Sequence, residues 1–127
     1  MSHTVAVKDL LLTNNVALVR AAKRMGTDVQ TLSKENSVKL YTGAPYTAGS
    51  AVQLSGWKYP VVIKEDGGVV YDNYNGAWGS ARLLDNFLQF YSVEVATIGA
   101  EEEGWMVRET LEKNGEIMLE MEEGMTR

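Results

Sequence analysis

The order of the predicted elements depends on nine consecutive residues, Tyr71-Asp72-Asn73-Tyr74-Asn75-Gly76-Ala77-Trp78-Gly79. They separate the most strand-like part of the chain from its longest helical pattern. Gly and Asn tolerate the positive φ angles of a sharp reversal, and large rings beside such a turn anchor it to a core. This corner segment, residues 71–79, is therefore predicted to join a sheet to a helix.

A strand and a helix are predicted at the start of the chain. Thr4 to Leu12 is rich in Val and Leu and alternates weakly, which favours a strand. Thr13 or Asn14 is a suitable cap for the helix that follows, and Gly26 is a suitable stop. One apolar stripe has the spacing i, i+3, i+4 and i+7: Leu18, Ala21, Ala22 and Met25.

Several strands are predicted between this helix and the corner segment. Residues 27–36 are polar and indicate a loop or an irregular edge, whereas Ser37 to Thr42 alternates and predicts a strand. Ala51 to Leu54 predicts a short strand and Trp57 to Lys64 a stronger one, in which Pro60 indicates an edge position or a bulge. After Asp66-Gly67, Val69 to Tyr71 is expected to return antiparallel.

A helix and a hairpin are predicted after the corner segment. Ser80 is a good N-cap for a helix from Ala81 to about Ala100. Asn114-Gly115 is a strong hairpin signal between arms at 105–112 and 116–122, and the tail is expected to be frayed from about residue 123. On the second arm the acidic residues alternate with apolar ones, which predicts one wet face, with Glu116, Glu120 and Glu122.

These elements predict an α+β fold. The size of 127 residues indicates a single domain, 1–127. Two amphipathic helices and one half-wet, mainly antiparallel sheet fit a two-layer sandwich with both helices on one face. No stretch is long and apolar enough to span a membrane, and the start lacks the pattern of a secretory signal, so a cytoplasmic protein is expected.

The charge is uneven along the chain. The net charge is −5, and from Glu101 onward nine acids face three bases, whereas residues 1–100 carry eight acids and nine bases. A nucleic-acid-binding protein would show a basic stripe, so this class is disfavoured. The acidic end indicates a solvated face, with a dock for a basic partner or a mimic of nucleic acid as alternatives.

The sequence contains no recognisable catalytic constellation. There is no Cys, and the single histidine, His3, is interpreted as a structural residue at the start of a strand. No phosphate-binding glycine motif and no nucleophile-elbow motif occurs, so neither a cofactor nor a catalytic residue is predicted. A non-enzymatic protein is expected.

Asn73-x-Asn75-Gly76 resembles the middle of an EF-hand loop, which binds calcium. The first ligand position holds Tyr71 instead of Asp, and the twelfth holds Arg82 instead of Glu. The EF-hand pattern therefore fails at both ends, and no metal site is predicted. A site that uses Asp72 and backbone carbonyls stays open as an alternative.

Aromatic and amide side chains of this region are the candidate binding residues. Their rings suit either a core-and-turn role or the centre of a protein interface, where aromatic residues with few charged neighbours are common. Base stacking would need an added basic groove, for which Lys39, Lys58, Lys64 and Arg82 are the candidates. The candidate binding set is Trp57, Tyr59, Tyr71, Asp72, Asn73, Tyr74, Asn75 and Trp78.

The sequence also resembles a known family, the hypothetical chloroplast reading frame thirty-five family, a domain of unknown function, in its bacterial and tailed-phage members. The resemblance begins with the opening residues Met1-Ser2-His3…Lys8…Ala17-Leu18…Ala21…Gly26. Four further blocks carry it: Gly56-Trp57-Lys58-Tyr59-Pro60-Val61-Val62, the corner segment, Phe87-Leu88-Gln89-Phe90-Tyr91…Glu94…Ala96, and Asn114-Gly115-Glu116-Ile117. The family has no established catalytic residues. The resemblance implies an accessory protein encoded by a phage or a bacterium, in the host cytoplasm if phage-encoded. Some genes of the family lie near those of MoxR-type AAA+ ATPases, which makes such an ATPase system a candidate partner.

Three functions therefore stay open. The first is an interaction protein that binds a protein partner through the corner segment or the acidic hairpin face. The second is a protein that binds or hydrolyses a small ligand, or binds an ion, at Asp72, Asn73 and Asn75. The third is nucleic-acid mimicry by the acidic end. An exposed strand edge at Pro60 or at the last hairpin would also allow a homodimer.

Overall fold

The computed structural model describes residues 4–123. In chain order the elements are β1 (Val5–Leu11), α1 (Asn15–Arg24), β2 (Val29–Thr31), β3 (Ser50–Val52), β4 (Val61–Ile63), β5 (Gly68–Tyr71), a 3-10 turn (Tyr74–Gly76), α2 (Ala81–Glu102), β6 (Trp105–Leu111) and β7 (Ile117–Glu123). His3 and the predicted frayed tail beyond Glu123 lie outside the described residues. Between residues 4 and 123 no helix is long and apolar enough to cross a membrane.

The main sheet has five strands in the order β1-β5-β4-β3-β2, and each neighbouring pair is antiparallel. Both helices pack on one face of it, in a core that contains Leu18 and Ala21 of α1, Phe87 and Tyr91 of α2, and Val61 of β4. The predicted α+β fold with a mainly antiparallel sheet and two helices is therefore confirmed.

The opposite face of the sheet is also covered at its centre. Val62 and Val70 point away from the helices and pack with Leu32 and Leu40, which come from the chain around residues 32–46. The expectation of a half-wet sheet is wrong there, because this irregular segment buries the second set of alternating side chains. The predicted strand from Ser37 to Thr42 is also wrong: its only strand-like pairing is a single bridge between Val38 and Tyr46.

Pro60 lies before a central strand, so the predicted edge position is wrong. Strand β4 pairs with β3 on one side and with β5 on the other, and it begins only at Val61. The backbone N–H of Lys58 donates to the carbonyl of Trp78 at 2.8 Å instead of joining the sheet. Because Pro60 precedes the ladder, its missing N–H costs no strand pairing.

Both ends of the first helix are capped as the sequence predicts. The Asn14 side chain accepts a hydrogen bond from the Ala17 N–H at 3.0 Å, which satisfies one of the free donors of the first turn. Gly26 has φ +76°, the left-handed conformation of a C′ residue. The corresponding Ser80 of α2 stands at the N-cap, but its side chain makes no capping hydrogen bond.

The last two strands form a separate antiparallel ribbon, which confirms the predicted hairpin. The Gly115 N–H donates to the Glu112 carbonyl at 3.0 Å, and Gly115 has φ +88°, the left-handed conformation that ends a three-residue hairpin loop. The ribbon packs along α2: a groove of about 420 Å³ lies between Ala96, Gly99 and Ala100 of the helix and Trp105 and Met121 of the strands.

Candidate functional site

The corner segment closes on itself through its own polar groups. Asp72 Oδ1 accepts the N–H of Tyr74 at 3.1 Å. The Asn73 carbonyl accepts the N–H groups of Gly76 and Trp78 at 3.0 and 2.9 Å, and Asn73 Nδ2 donates to the Gly79 carbonyl at 3.2 Å. Both side chains are buried. The predicted turn is thus a hydrogen-bonded corner built around Asn73.

Three successive residues of this corner have left-handed backbone conformations. Tyr74 has φ +49°, Asn75 +54° and Gly76 +95°. Gly and Asn adopt this region easily, but a tyrosine in it costs about 1–2 kcal/mol. The hydrogen bonds to Asn73 hold Tyr74 in this strained conformation, and backbone strain of this kind is concentrated at functional sites.

Two of the predicted binding rings belong to the core instead. Trp57 is buried and meets the ring of Tyr71 edge to face, with 5.8 Å between centroids. Trp57 Nε1 donates to the Ser80 carbonyl at 3.1 Å. Gly79 lies so close beneath the indole that a Cβ there would be 2.4 Å from Trp57 Cδ2. Trp57 therefore lies in the core, and Tyr71 is half-buried and packs against it.

The other rings meet on the surface around Trp78. Tyr74 stacks on Trp78, with 4.8 Å between centroids and 28° between planes. Tyr59 approaches it edge-on at 5.6 Å, and Tyr41 lies tilted at 5.1 Å. We call these four rings, together with Lys58, the Trp78 surface.

Lys58 places a positive charge within this group of rings. Its Nζ lies 4.6 Å from the centroid of the Trp78 indole and 5.7 Å from that of Tyr59. The hydrogen bond from the Lys58 N–H to the Trp78 carbonyl fixes the backbone next to the rings. An ammonium group over an aromatic face is held by the ring quadrupole.

Much of the Trp78 surface is open to solvent. Tyr41 is 54% exposed and Tyr74 38%, while Tyr59 and Trp78 are half-buried. Tyr41 is absent from the predicted binding set, because the alternation of residues 37–42 predicts a strand. Its position depends on the irregular segment that covers the sheet, and no local pattern indicates this.

The polar candidates do not form an open site. Asp72 is only 1% exposed; its Oδ2 is buried and accepts no hydrogen bond from the described part of the chain. Asn73 is used by the corner, whereas Asn75 points into solvent. The three side chains named for a small ligand are therefore not brought together around one cavity. Among residues 4–123, no group of three or more His, Asp or Glu side chains is placed to hold a metal.

A cleft of about 500 Å³ lies elsewhere, between the start of α1 and the ends of the strands. Its floor is apolar and includes Leu18 and Ile63, and its rim includes Thr13, Lys64 and Glu65. None of the predicted binding residues lines it. The cleft is therefore separate from the predicted binding residues.

The outer face of the hairpin is the second candidate surface. Its cross-strand register places Met106, Arg108 and Thr110 opposite Glu122, Glu120 and Met118. Arg108 reaches Glu120 at 3.3 Å and Glu122 at 2.9 Å, so part of the acidic charge is neutralised within the face. Glu116 lies before the strand, so the predicted acidic series is shorter than expected.

Comparisons with protein-family models, with curated proteins and with solved structures give no significant match. The resemblance described above consequently stays a prediction.

Proposed function

We propose that this chain is a non-enzymatic interaction protein that binds a protein partner through the Trp78 surface. The proposal rests on the rings of Tyr41, Tyr59 and Tyr74, which each lie against Trp78. Tyr41 and Tyr74 are exposed. Tyrosine and tryptophan are enriched at the energetic centres of protein interfaces, because they supply large contact areas with few rotatable bonds.

Pre-organisation supports the same proposal. Trp78 is fixed by its N–H bond to the Asn73 carbonyl and by the Lys58 N–H on its own carbonyl, at 2.9 and 2.8 Å. A partner that binds such fixed rings loses little entropy from ordering them. Tyr74 is held in a left-handed conformation, is 38% exposed and stacks its ring on Trp78.

The small-ligand alternative has weaker support. A ligand at Asp72 would have to reach a carboxylate that is almost fully buried, and Asn73 already bonds the Gly79 carbonyl. Nucleic-acid mimicry by the hairpin is weakened by Arg108, which pairs with two of its glutamates.

Photo-crosslinking in cells tests the proposal. Benzoylphenylalanine replaces Tyr41 in one variant and Val16 in the other; the two residues are 54% and 55% exposed, and Val16 lies on α1. We expect a discrete crosslinked partner from position 41 but not from position 16, and we expect the crosslink to disappear when Trp78→Ala is added.

Equal crosslinking from both positions, or a crosslink at position 41 that survives Trp78→Ala, would contradict the proposal. The resemblance to the reading frame thirty-five family makes MoxR-type AAA+ ATPases the first purified partners to try. A crosslinked product at twice the mass of the chain would identify the partner as a second copy, as in a homodimer.

A further inference from the structure

The position of Lys58 restricts what can cover the Trp78 surface. We propose that the partner presents an acidic peptide segment whose carboxylate pairs with Lys58 while its apolar side chains cover the rings. This inference rests on the proposed function and adds the chemistry of the partner. The ammonium group lies 4.6 Å from the Trp78 centroid and 5.7 Å from the Tyr59 centroid, between the rings that any partner must contact.

Desolvation makes the partner's charge necessary. A surface that covered the rings of Trp78 and Tyr59 would also remove water from the Lys58 ammonium. A buried ammonium without a counter-charge is strongly unfavourable, whereas a carboxylate within hydrogen-bond distance offsets the lost hydration. Among residues 4–123, no carboxylate forms a salt bridge with Lys58. Asp72, the acid of the corner segment, is buried with its Oδ1 on the Tyr74 N–H.

The segment that carries Tyr41, Lys58 and Tyr59 is basic, although the chain as a whole has a charge of −5. From Asn36 to Lys64 there is no Asp or Glu, and there are three lysines. From Gly67 to Leu84 the only acid is the buried Asp72, beside Arg82. Within the Trp78 surface, the charge of Lys58 complements an anionic partner and would accelerate its association.

A peptide carboxylate fits this surface better than the phosphates of single-stranded nucleic acid. Single-strand binders offer free aromatic faces on which bases stack. Tyr74 is stacked on Trp78 and Lys58 Nζ also lies over the indole, so a base could stack on Trp78 only by displacing one of them. Aliphatic side chains and proline can instead contact the exposed edges of the rings.

The first experiment lets the protein select its own ligands. A random library of displayed dodecapeptides is panned on the immobilised full chain, with counter-selection on Trp78→Ala and, separately, on Tyr41→Ala, each checked by circular dichroism. We expect the enriched peptides to carry net negative charge together with apolar residues or proline, and to bind neither variant.

The second experiment tests the role of Lys58 with a charge swap. An enriched peptide and its counterpart with lysine at every acidic position are titrated against the wild type, Lys58→Glu and Lys113→Glu. Lys113 is an exposed residue of the hairpin turn, and its reversal changes the net charge equally. We expect Lys58→Glu to weaken the acidic peptide roughly tenfold or more and to improve the lysine counterpart, with Lys113→Glu within about twofold of the wild type.

The outcomes separate this inference from the proposed function. Enriched peptides that need Trp78 but are neutral or basic would overturn the inference that the partner segment is acidic. The proposal that the Trp78 surface binds a protein partner would still be supported. Equal effects of Lys58→Glu and Lys113→Glu would overturn the pairing with Lys58. If no peptide is enriched, while a twelve-nucleotide oligothymidylate binds the wild type and not Trp78→Ala, both proposals are wrong and the surface binds nucleic acid.

Discussion

Single hydrogen bonds decide which rings of the corner segment are buried and which are exposed. Asn73 uses its carbonyl for the N–H groups of Gly76 and Trp78 and its amide for the carbonyl of Gly79. These bonds leave Trp78 beside Tyr74 at the surface, while Trp57 fills the space over Gly79. The geometry of the Trp78 surface therefore depends on the buried side chain of Asn73.

Asn73→Ala tests this dependence. The substitution leaves the Gly79 carbonyl without its side-chain donor, and we expect it to lower the free energy of unfolding by about 1–3 kcal/mol. Urea denaturation, followed by circular dichroism, measures this change. The control is Asn15→Ala at the exposed first residue of α1, which should stay within about 0.5 kcal/mol of the wild type. Equal effects of the two substitutions would refute the role of Asn73.

Replacing glycine by alanine should have opposite effects on stability at two positions. A Cβ at Gly79 would lie 2.4 Å from the buried Trp57 ring, so Gly79→Ala should destabilise the chain by about 1–3 kcal/mol. Gly99 lies within α2 with no atom near its Cβ position, so Gly99→Ala should stabilise it by about 0.5–1 kcal/mol. Thermal unfolding of both variants gives the comparison; a stable Gly79→Ala would contradict the close packing.

At the scale of elements, one arginine joins α1, α2 and the hairpin. Arg24 Nε donates to the buried Glu94 of α2 at 2.8 Å, and its terminal nitrogens reach Glu109 of β6. Its guanidinium also lies 5.2 Å from the centroid of the Phe90 ring. The hydrogen bond with Glu109, opposed by burial and reinforced by Glu94, raises the pKa of Arg24 above its ordinary value.

Arg24→Met tests this junction. A raised pKa of a basic group gives stability that is complete below its unfolded pKa and is lost only as the pH rises through the folded pKa. For an arginine both values lie far above neutrality, so its contribution should be constant from roughly pH 6 to 8. We expect Arg24→Met to lower the free energy of unfolding by about 1–3 kcal/mol, because the Glu94 carboxylate stays buried.

The matched control is Arg108→Met. The salt bridges of Arg108 with Glu120 and Glu122 are exposed, so this substitution should lower the free energy of unfolding by about 0–1 kcal/mol. Hydrogen exchange should also show faster exchange of the hairpin amides in Arg24→Met than in Arg108→Met. The same exchange rate in both would mean that Arg24 does not hold the hairpin.

At the scale of the whole molecule, the hairpin is an addition to a complete sandwich. Every residue of the two buried core clusters comes from the sheet, the two helices or the loops between them, and the hairpin forms its own two-stranded sheet. It contacts the body chiefly along α2, where Gln89 Nε2 reaches the carbonyl of Gly115 at 3.5 Å.

A chain that ends at Glu103 should therefore keep the body of the fold. We expect a cooperative thermal transition at a lower temperature, because the contacts of α2 with β6 and the bond from Arg24 to Glu109 are lost. The near-ultraviolet circular dichroism of the aromatic rings should persist. Loss of cooperative unfolding would show instead that the hairpin is required for the core.

Features set by neighbouring residues were predictable from the sequence. The Asn14 cap, the Gly26 stop and the Asn114-Gly115 turn each depend on backbone geometry within a few residues, and all three are present. The α+β class follows because helical and strand periodicities alternate along the chain with enough apolar residues to form a core.

Only the tertiary structure decided which aromatic residues form the candidate site. Trp57 and Trp78 look alike in sequence, but Trp57 is packed against Gly79, whereas Trp78 is half-buried beside Tyr41, which lies 37 residues earlier in the chain. Such contacts depend on how distant segments pack together, and a local pattern carries no information about them. For the same reason residues 37–42 cover the sheet instead of forming the predicted strand, and Pro60 precedes a central strand instead of lying at an edge.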